Sequence, residues 1–165
     1  MFTFADIISI AVQVEKNGED AYRKTAHLVS DPQLREILLW MADEEKSHAA
    51  WFSQLATPGK QAEDQDELEQ MGRNLLQDMV RGNSFLLDRQ ELMDASTVKE
   101  IVDRSKILEE DTIVFYQFLM GFLEHEDTVS QLKTIIDEEK AHSRKLENYS
   151  RENLTSASET YQESS

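Results

Sequence analysis

Two copies of a Glu-x-x-His motif are the residues in this sequence best suited to chemistry. The copies span 45–48 and 139–142, and each ends a phrase that reads Asp-Glu-Glu-Lys-x-His. They are 94 residues apart, since 139 − 45 = 94, and the same offset places Glu15 on Glu109. Each half of the chain therefore carries a Glu and, 30 positions later, a Glu-x-x-His. This repeat predicts two similar structural halves whose polar residues meet.

These polar residues interrupt stripes of apolar residues that a helical bundle would bury. Four buried carboxylates would lose hydration and repel one another, and no basic residue lies in the stripes. The core therefore needs positive charge, which two divalent or trivalent metal ions would supply. Because Glu and His at positions i and i+3 share one helix face, each motif can bind one ion. The predicted ligands are Glu15, Glu45, His48, Glu109, Glu139 and His142.

The donor atoms of this set indicate which metals to expect. Carboxylate and imidazole ligands together suit iron or manganese, and the chain has no Cys to form a structural zinc site. Four carboxylates and two imidazoles are typical of di-iron and di-manganese helical bundles. We therefore expect two iron ions, with manganese or a mixed pair as the alternative. No catalytic residue is predicted beyond the ligands themselves.

Four long helices must position this set. Apolar residues at spacings of three and four predict helices over about 4–29, 32–56, 97–123 and 128–149. Short links join the first helix to the second and the third to the fourth, which makes each pair antiparallel. Residues 60–94 have no counterpart in the other half and are predicted to form a crossover that contains its own short helix. The prediction is an all-α, antiparallel four-helix bundle.

Composition narrows the class of protein further. The 165 residues carry a net charge of −16, which disfavours nucleic acid and anionic membrane surfaces as partners. No run of 18 apolar residues and no signal-like start occurs, so a cytoplasmic location is expected. The bundle is predicted to occupy 1–150 as one domain, and the polar residues 151–165 are predicted to form a disordered tail.

The chain resembles the ferritin-like superfamily, and most of all its rubrerythrin-type branch. Residues 14–22 and 109–116 look like that group's first and third helices, and Asp-Glu-Glu-Lys-x-His looks like its second and fourth. The resemblance covers about 4–149, apart from the crossover. It implies that Glu15 and Glu109 are terminal ligands and that Glu45 and Glu139 bridge the two metals. It also implies that each histidine binds one metal.

Two departures from the rubrerythrin pattern concern function. The chain has no Cys and therefore no rubredoxin-like iron site, so an external electron donor is expected. Thr112 stands where rubrerythrins carry an additional Glu, which leaves a six-ligand set closer to bacterioferritin-type ferroxidase centres. The resemblance implies reaction of the metals with hydrogen peroxide or oxygen, as a peroxidase or a ferroxidase, without choosing between them. It also implies a homo-oligomer.

Two other classes of function are compatible with the sequence. One is an iron-binding, storage or carrier protein without turnover. The other is a structural bundle whose duplicated polar residues no longer bind metal.

Several residues beside the ligands are candidates for supporting them. Asp43 and Asp137 are interpreted as residues of a solvated face, with acceptance of the second N–H of a metal-bound imidazole as the alternative. Tyr22 and Tyr116 lie two turns from Glu ligands and are interpreted as packed core residues, with a hydrogen bond to a ligand or electron transfer as the alternative. Solvated surface is the interpretation for Glu44 and Glu138.

Overall fold

The computed structural model describes residues 4–55, Gln70, Leu92 and 94–154. These residues form four long helices and no strand. The helices are α1 Phe4–Leu28, α2 Pro32–Leu55, α3 Val98–Met120 and α4 Glu126–Leu154. The predicted all-α bundle is therefore confirmed.

The turn between α1 and α2 shows why the chain reverses there. Asp31 accepts a hydrogen bond from the backbone N–H of Gln33 (3.0 Å), and Pro32 occupies the first helical position, where its missing N–H costs nothing. The Arg35 guanidinium then donates to the carbonyl oxygens of Ala26 (3.2 Å), in the last turn of α1, and of Val29 (2.8 Å), just after the helix. A polar side chain from α2 thus satisfies carbonyl groups at the turn and connects the two helices of the hairpin.

The start of α3 is fixed by a capping box at residue 97, where the sequence predicted the helix to begin. Thr97 accepts from the backbone N–H of Glu100 at 3.1 Å, and the Glu100 carboxylate accepts from the backbone N–H of Ser96 at 2.8 Å. The start of α4 differs from the prediction, because the helix begins at Glu126, two residues before the predicted Thr128.

Neighbouring helices run antiparallel. Along the α2–α4 seam, Trp51 donates to Gln131 near one end, and Asn153 donates to Gln33 at 3.4 Å near the other. Early residues of α2 therefore face late residues of α4.

The core consists of two apolar clusters at opposite ends of the bundle. One contains Leu34 and has Val98 packed against it, and the other contains Leu55 and Leu132. Because Leu55 and Val98 lie in different clusters, α2 ends and α3 begins at opposite ends of the bundle. The predicted crossover and its short helix fall largely outside the described residues.

The C-terminal end of α4 extends past the predicted bundle. Residues 151–154 are helical, where the sequence predicted the start of a tail, and 155–165 lie outside the described residues. None of the described helices has the length and apolarity that a membrane span requires.

Candidate metal centre

The six predicted ligands lie together in one polar layer between the two apolar clusters. α1 and α3 each contribute one Glu, and α2 and α4 each contribute Glu-x-x-His. Every one of these residues is at most 4% exposed. The structure thus brings together the residues that the sequence predicted to meet, and their binding of metal stays a prediction.

Two overlapping groups of potential ligand atoms share this layer. Glu15, Glu45, His48 and Glu139 form the first, and each offers an atom within 4.8 Å of the others. The second group comprises Glu45, Glu109, Glu139 and His142. In it, Glu109 takes the place of Glu15, and His142 takes the place of His48. Only Glu45 and Glu139 belong to both groups. A carboxylate that contributes to two sites in this way is placed as a bridging ligand would be.

Both imidazoles direct Nδ1 towards the carboxylates. Nδ1 of His48 lies 2.9 Å from Glu139 and 3.6 Å from Glu15. Nδ1 of His142 lies 3.1 Å from Glu139 and 3.3 Å from Glu109. The two rings stack at a centroid distance of 6.4 Å. Nδ1 is therefore the ring atom that each histidine would offer to a metal.

The other ring nitrogen of each histidine contacts a carboxylate from the opposite half of the chain. Nε2 of His48 lies 2.8 Å from Glu138, and Nε2 of His142 lies 2.6 Å from Glu44. A carboxylate at Nε2 favours the tautomer in which Nε2 carries the proton, which leaves the Nδ1 lone pair free to bind metal. Glu44 and Glu138 are thus functional candidates that the interpretation as solvated surface missed.

Of the two interpretations of Asp43 and Asp137, the structure shows the solvated face, and the alternative in which they support the histidines is wrong. The Asp43 side chain is 71% exposed and accepts a hydrogen bond from Arg23 at 2.7 Å. Asp137 is 78% exposed and faces Lys140 across 4.0 Å. Five positions along a helix is about 140° of rotation from the histidine, which directs each Asp to solvent.

Two buried tyrosines bind ligand carboxylates across the bundle. The Tyr22 hydroxyl donates to Glu109, and the Tyr116 hydroxyl donates to Glu15. The two tyrosines are 94 residues apart, as the repeat requires. Each forms its hydrogen bond with a carboxylate of the other half of the chain. Both are core residues, and the alternative in which they hydrogen-bond a ligand is the one that the structure shows.

Burial controls the electrostatics of the carboxylates. It raises the pKa of Glu15 and of Glu45 well above the ordinary range, and neighbouring carboxylates add to the effect. Burial and the charge of Glu139 raise the pKa of Glu109 to about 8. The described residues alone therefore favour the protonated forms of these three groups, although metal binding needs the ionised ones.

The pKa of each histidine is raised as well, but by the neighbouring carboxylates and against the effect of burial. Burial by itself would lower the pKa of His48, but its contacts with Glu139 and Glu138 raise it to about 9. The pKa of His142 is likewise raised by Glu109, Glu139 and Glu45, against the effect of burial. The protein surrounds each ring with more negative charge than the ring can balance.

Unsatisfied oxygens show that a cation fits this layer. Oε2 of Glu15, Oε1 of Glu45 and both oxygens of Glu139 are buried and form no well-oriented hydrogen bond with the described residues. Each lies within 2.9–3.6 Å of a histidine Nδ1, the atom that would itself turn to a metal. Leaving such atoms without a partner costs several kcal/mol, more when they are charged. When ionised, the four carboxylates carry four negative charges, which two divalent ions would balance. The donor set and its unsatisfied atoms thus fit a pair of metal ions.

A glycine makes room for one of the shared carboxylates. A Cβ added at Gly18 would lie 3.0 Å from Oε2 of Glu45, closer than such atoms normally approach. The equivalent position in the other half is Thr112, since 18 + 94 = 112, and its hydroxyl donates to the Leu108 carbonyl at 2.9 Å. The close approach of Glu45 to α1 is therefore a feature of one half. A lone Gly within a helical stripe was the available sequence signal.

Comparisons with known proteins identify the family and the fold. The sequence model of the rubrerythrin family matches residues 6–150. A ferritin-like diiron-carboxylate protein from Thermotoga maritima has a similar structure, with a TM-score of 0.65 and 24% identity over 91% of this chain and 95% of that one. A hypothetical protein from Pyrococcus furiosus also gives a TM-score of 0.65, with 20% identity over 93% of this chain and 92% of that one. No curated protein matches the sequence.

Proposed function

The chain belongs to the rubrerythrin family, and from this premise we propose that it is a non-haem di-iron oxidoreductase. Two iron ions, or manganese in one or both places, would be held by the six residues of the polar layer. The oxidant would be hydrogen peroxide or oxygen, which makes the activity that of a peroxidase or a ferroxidase. The observation that carries the proposal is that both four-residue groups share Glu45 and Glu139.

The chain's own residues would prepare the site before any oxidant arrives. Glu138 and Glu44 hold the imidazoles by Nε2, so that each Nδ1 faces the carboxylates. Tyr22 and Tyr116 each hold one oxygen of a carboxylate and thereby orient the other. The apolar clusters above and below the layer exclude water, which strengthens every electrostatic contact within it.

Bound iron would supply the electrons that reduce the oxidant, which no side chain of the layer provides. The chain contains no Cys and so no thiolate-bound redox centre. Repeated turnover would therefore draw electrons from an external donor. The proposal includes such a donor as a partner.

The test is anaerobic loading of metal-free protein with two Fe(II) per chain, followed by rapid mixing with either peroxide or oxygen. Faster ferric absorbance with peroxide would make it a peroxidase, and faster absorbance with oxygen a ferroxidase. Retention of many irons per chain would instead indicate storage.

The control separates the layer from the acidity of the surface. Glu45→Ala with Glu139→Ala should abolish the rapid phase. Asp43→Ala with Asp137→Ala removes the same charge from exposed positions on the same helices and should leave it intact. Oxidation at the same rate in both double variants would overturn the proposed function.

A further inference from the structure

Electrons must cross protein to reach the polar layer, because none of the six predicted ligand residues is more than 4% exposed. Electron transfer through packed protein slows steeply with distance, so a conjugated ring between the surface and a ligand would shorten the gap. Tyr22 and Tyr116 also contact predicted ligands but are fully buried. Among the described residues, one partly exposed aromatic ring contacts a predicted ligand. This inference rests on the proposed function, which requires an external donor.

Trp40 is that ring. It lies on α2, is partly buried, and packs its ring against His142 at a centroid distance of 5.0 Å and an interplanar angle of 86°. Nζ of Lys145 lies 5.2 Å from the centroid of the indole. A cation over an indole face is attracted to it, which holds the ring against the imidazole. Trp40 therefore joins the surface to His142 in a single step.

The two halves of the chain differ at this point. The 94-residue offset places Trp40 on Thr134, an exposed residue whose hydroxyl donates to the Ser130 carbonyl. The offset also places Trp51 on Lys145. Trp51 packs against Phe52 at 4.9 Å and donates to Gln131, and it has no ring contact with either histidine among the described residues. The indole contact with a ligand is therefore specific to His142.

We propose that Trp40 is the electron port of this site, through which an external one-electron donor reduces the metal bound at His142. Each ferric ion accepts one electron to become ferrous, and the donor loses one electron per iron. Two encounters restore the diferrous state. Trp40 is a positioning residue here, since it acts through the imidazole and does not touch the oxidant.

The test uses the absence of cysteine, which allows one thiol to be placed at will. Glu36 is exposed and lies one helical turn before Trp40, so Glu36→Cys can carry a thiol-linked ruthenium photosensitiser beside the port. Ser47 is exposed and stands in the same relation to Trp51, so Ser47→Cys carries the matched control. A flash-reduced sensitiser then donates one electron, and the loss of ferric absorbance gives the rate.

Replacing the indole should affect one labelled protein and not the other. With the sensitiser at position 36, Trp40→Phe should slow electron injection several-fold, and Trp40→Leu should slow it further. With the sensitiser at position 47, Trp51→Phe should leave the rate unchanged. The midpoint potential and the metal stoichiometry should stay the same in Trp40→Phe. A change in the metal site itself would alter one or both of these quantities.

Equal rates with and without the indole at position 40 would overturn the port while leaving the proposed function standing. A protein that never forms a ferric site would overturn both.

Fluorescence provides a readout independent of iron redox chemistry. Trp51→Phe leaves Trp40 as the sole tryptophan, and Co(II) loading should quench its emission more strongly than that of Trp51 in Trp40→Phe. Equal quenching would contradict the contact on which the port depends.

Discussion

Replacing Glu44 with Ala should weaken one of two metal sites and spare the other. The Glu44 carboxylate lies 2.6 Å from Nε2 of His142, and its side chain is 29% exposed. Removing the carboxylate that holds a metal-bound imidazole typically costs about 10- to 100-fold in metal affinity, or about 1.4–2.8 kcal/mol. We expect a loss in this range at the site that includes His142, and little change at the site that includes His48.

The equivalent change in the other half has a smaller expected effect. Glu138 lies 2.8 Å from Nε2 of His48 and is 41% exposed, so water can replace more of what its carboxylate provides. Glu44→Gln should lose less affinity than Glu44→Ala, because the amide oxygen can still accept the imidazole proton. The order of loss should be Glu44→Ala, then Glu138→Ala, then Glu44→Gln.

Anaerobic calorimetric titration with Mn(II) measures both sites without redox chemistry. Asp43→Ala is the matched control, because it removes the same charge at the neighbouring position. The Asp43 side chain is exposed and pairs with Arg23. Equal losses in Glu44→Ala and Asp43→Ala would show that overall negative charge is responsible, and would refute the assignment of Glu44 to the imidazole. Equal weakening of both sites by Glu44→Ala would refute it as well.

Three further outcomes are expected. Gly18→Ala should raise the melting temperature of the metal-free protein, since Ala in a helix is about 0.5–1 kcal/mol better than Gly, yet weaken Mn(II) binding because the new Cβ displaces Glu45; a loss in both measurements would contradict this. The pKa of Glu109 is raised to about 8 and that of His48 to about 9, so both groups hold protons in the folded state that the unfolded chain has released. The stability of the metal-free protein in urea should therefore fall as pH rises, most steeply between pH 6.5 and 8, where both contribute; a rise would refute the sign. Tyr22→Phe should cost about 1–3 kcal/mol of unfolding free energy by leaving a buried acceptor on Glu109 without its donor, and urea denaturation with no such loss would count against that bond.

The sequence predicted the ligand layer because spacing along one helix determines which residues share a face. Glu45 and His48 belong to one apolar stripe, and the offset that relates them to α4 also relates Glu15 to Glu109. The same reasoning failed for Glu44, because the partner of each histidine comes from another helix. Which carboxylate reaches His142 depends on how α2 and α4 are aligned along their axes. The apolar stripe of either helix gives no information about that alignment.

Contacts between helices account for the other differences. The hydrogen bond from Tyr22 to Glu109 joins residues 87 positions apart, and its existence depends on the distance between α1 and α3. The space beside Gly18 likewise appears only once Glu45 is placed against α1. Helix ends were predicted well where capping residues act locally, as at Asp31 and Thr97, and less well at Glu126.

The two halves of the chain depend on each other in the way that the subunits of a dimer do, because each supplies contacts that the other needs. His48 takes its Nε2 partner from the second half, and His142 takes its own from the first. Each four-residue group also borrows one carboxylate from the other half. Neither hairpin alone contains a complete site, so two separate hairpins would have to associate before either could hold metal. In such a dimer, the two metal ions would hold the hairpins together. In this chain the halves are covalently connected, so their assembly does not depend on protein concentration.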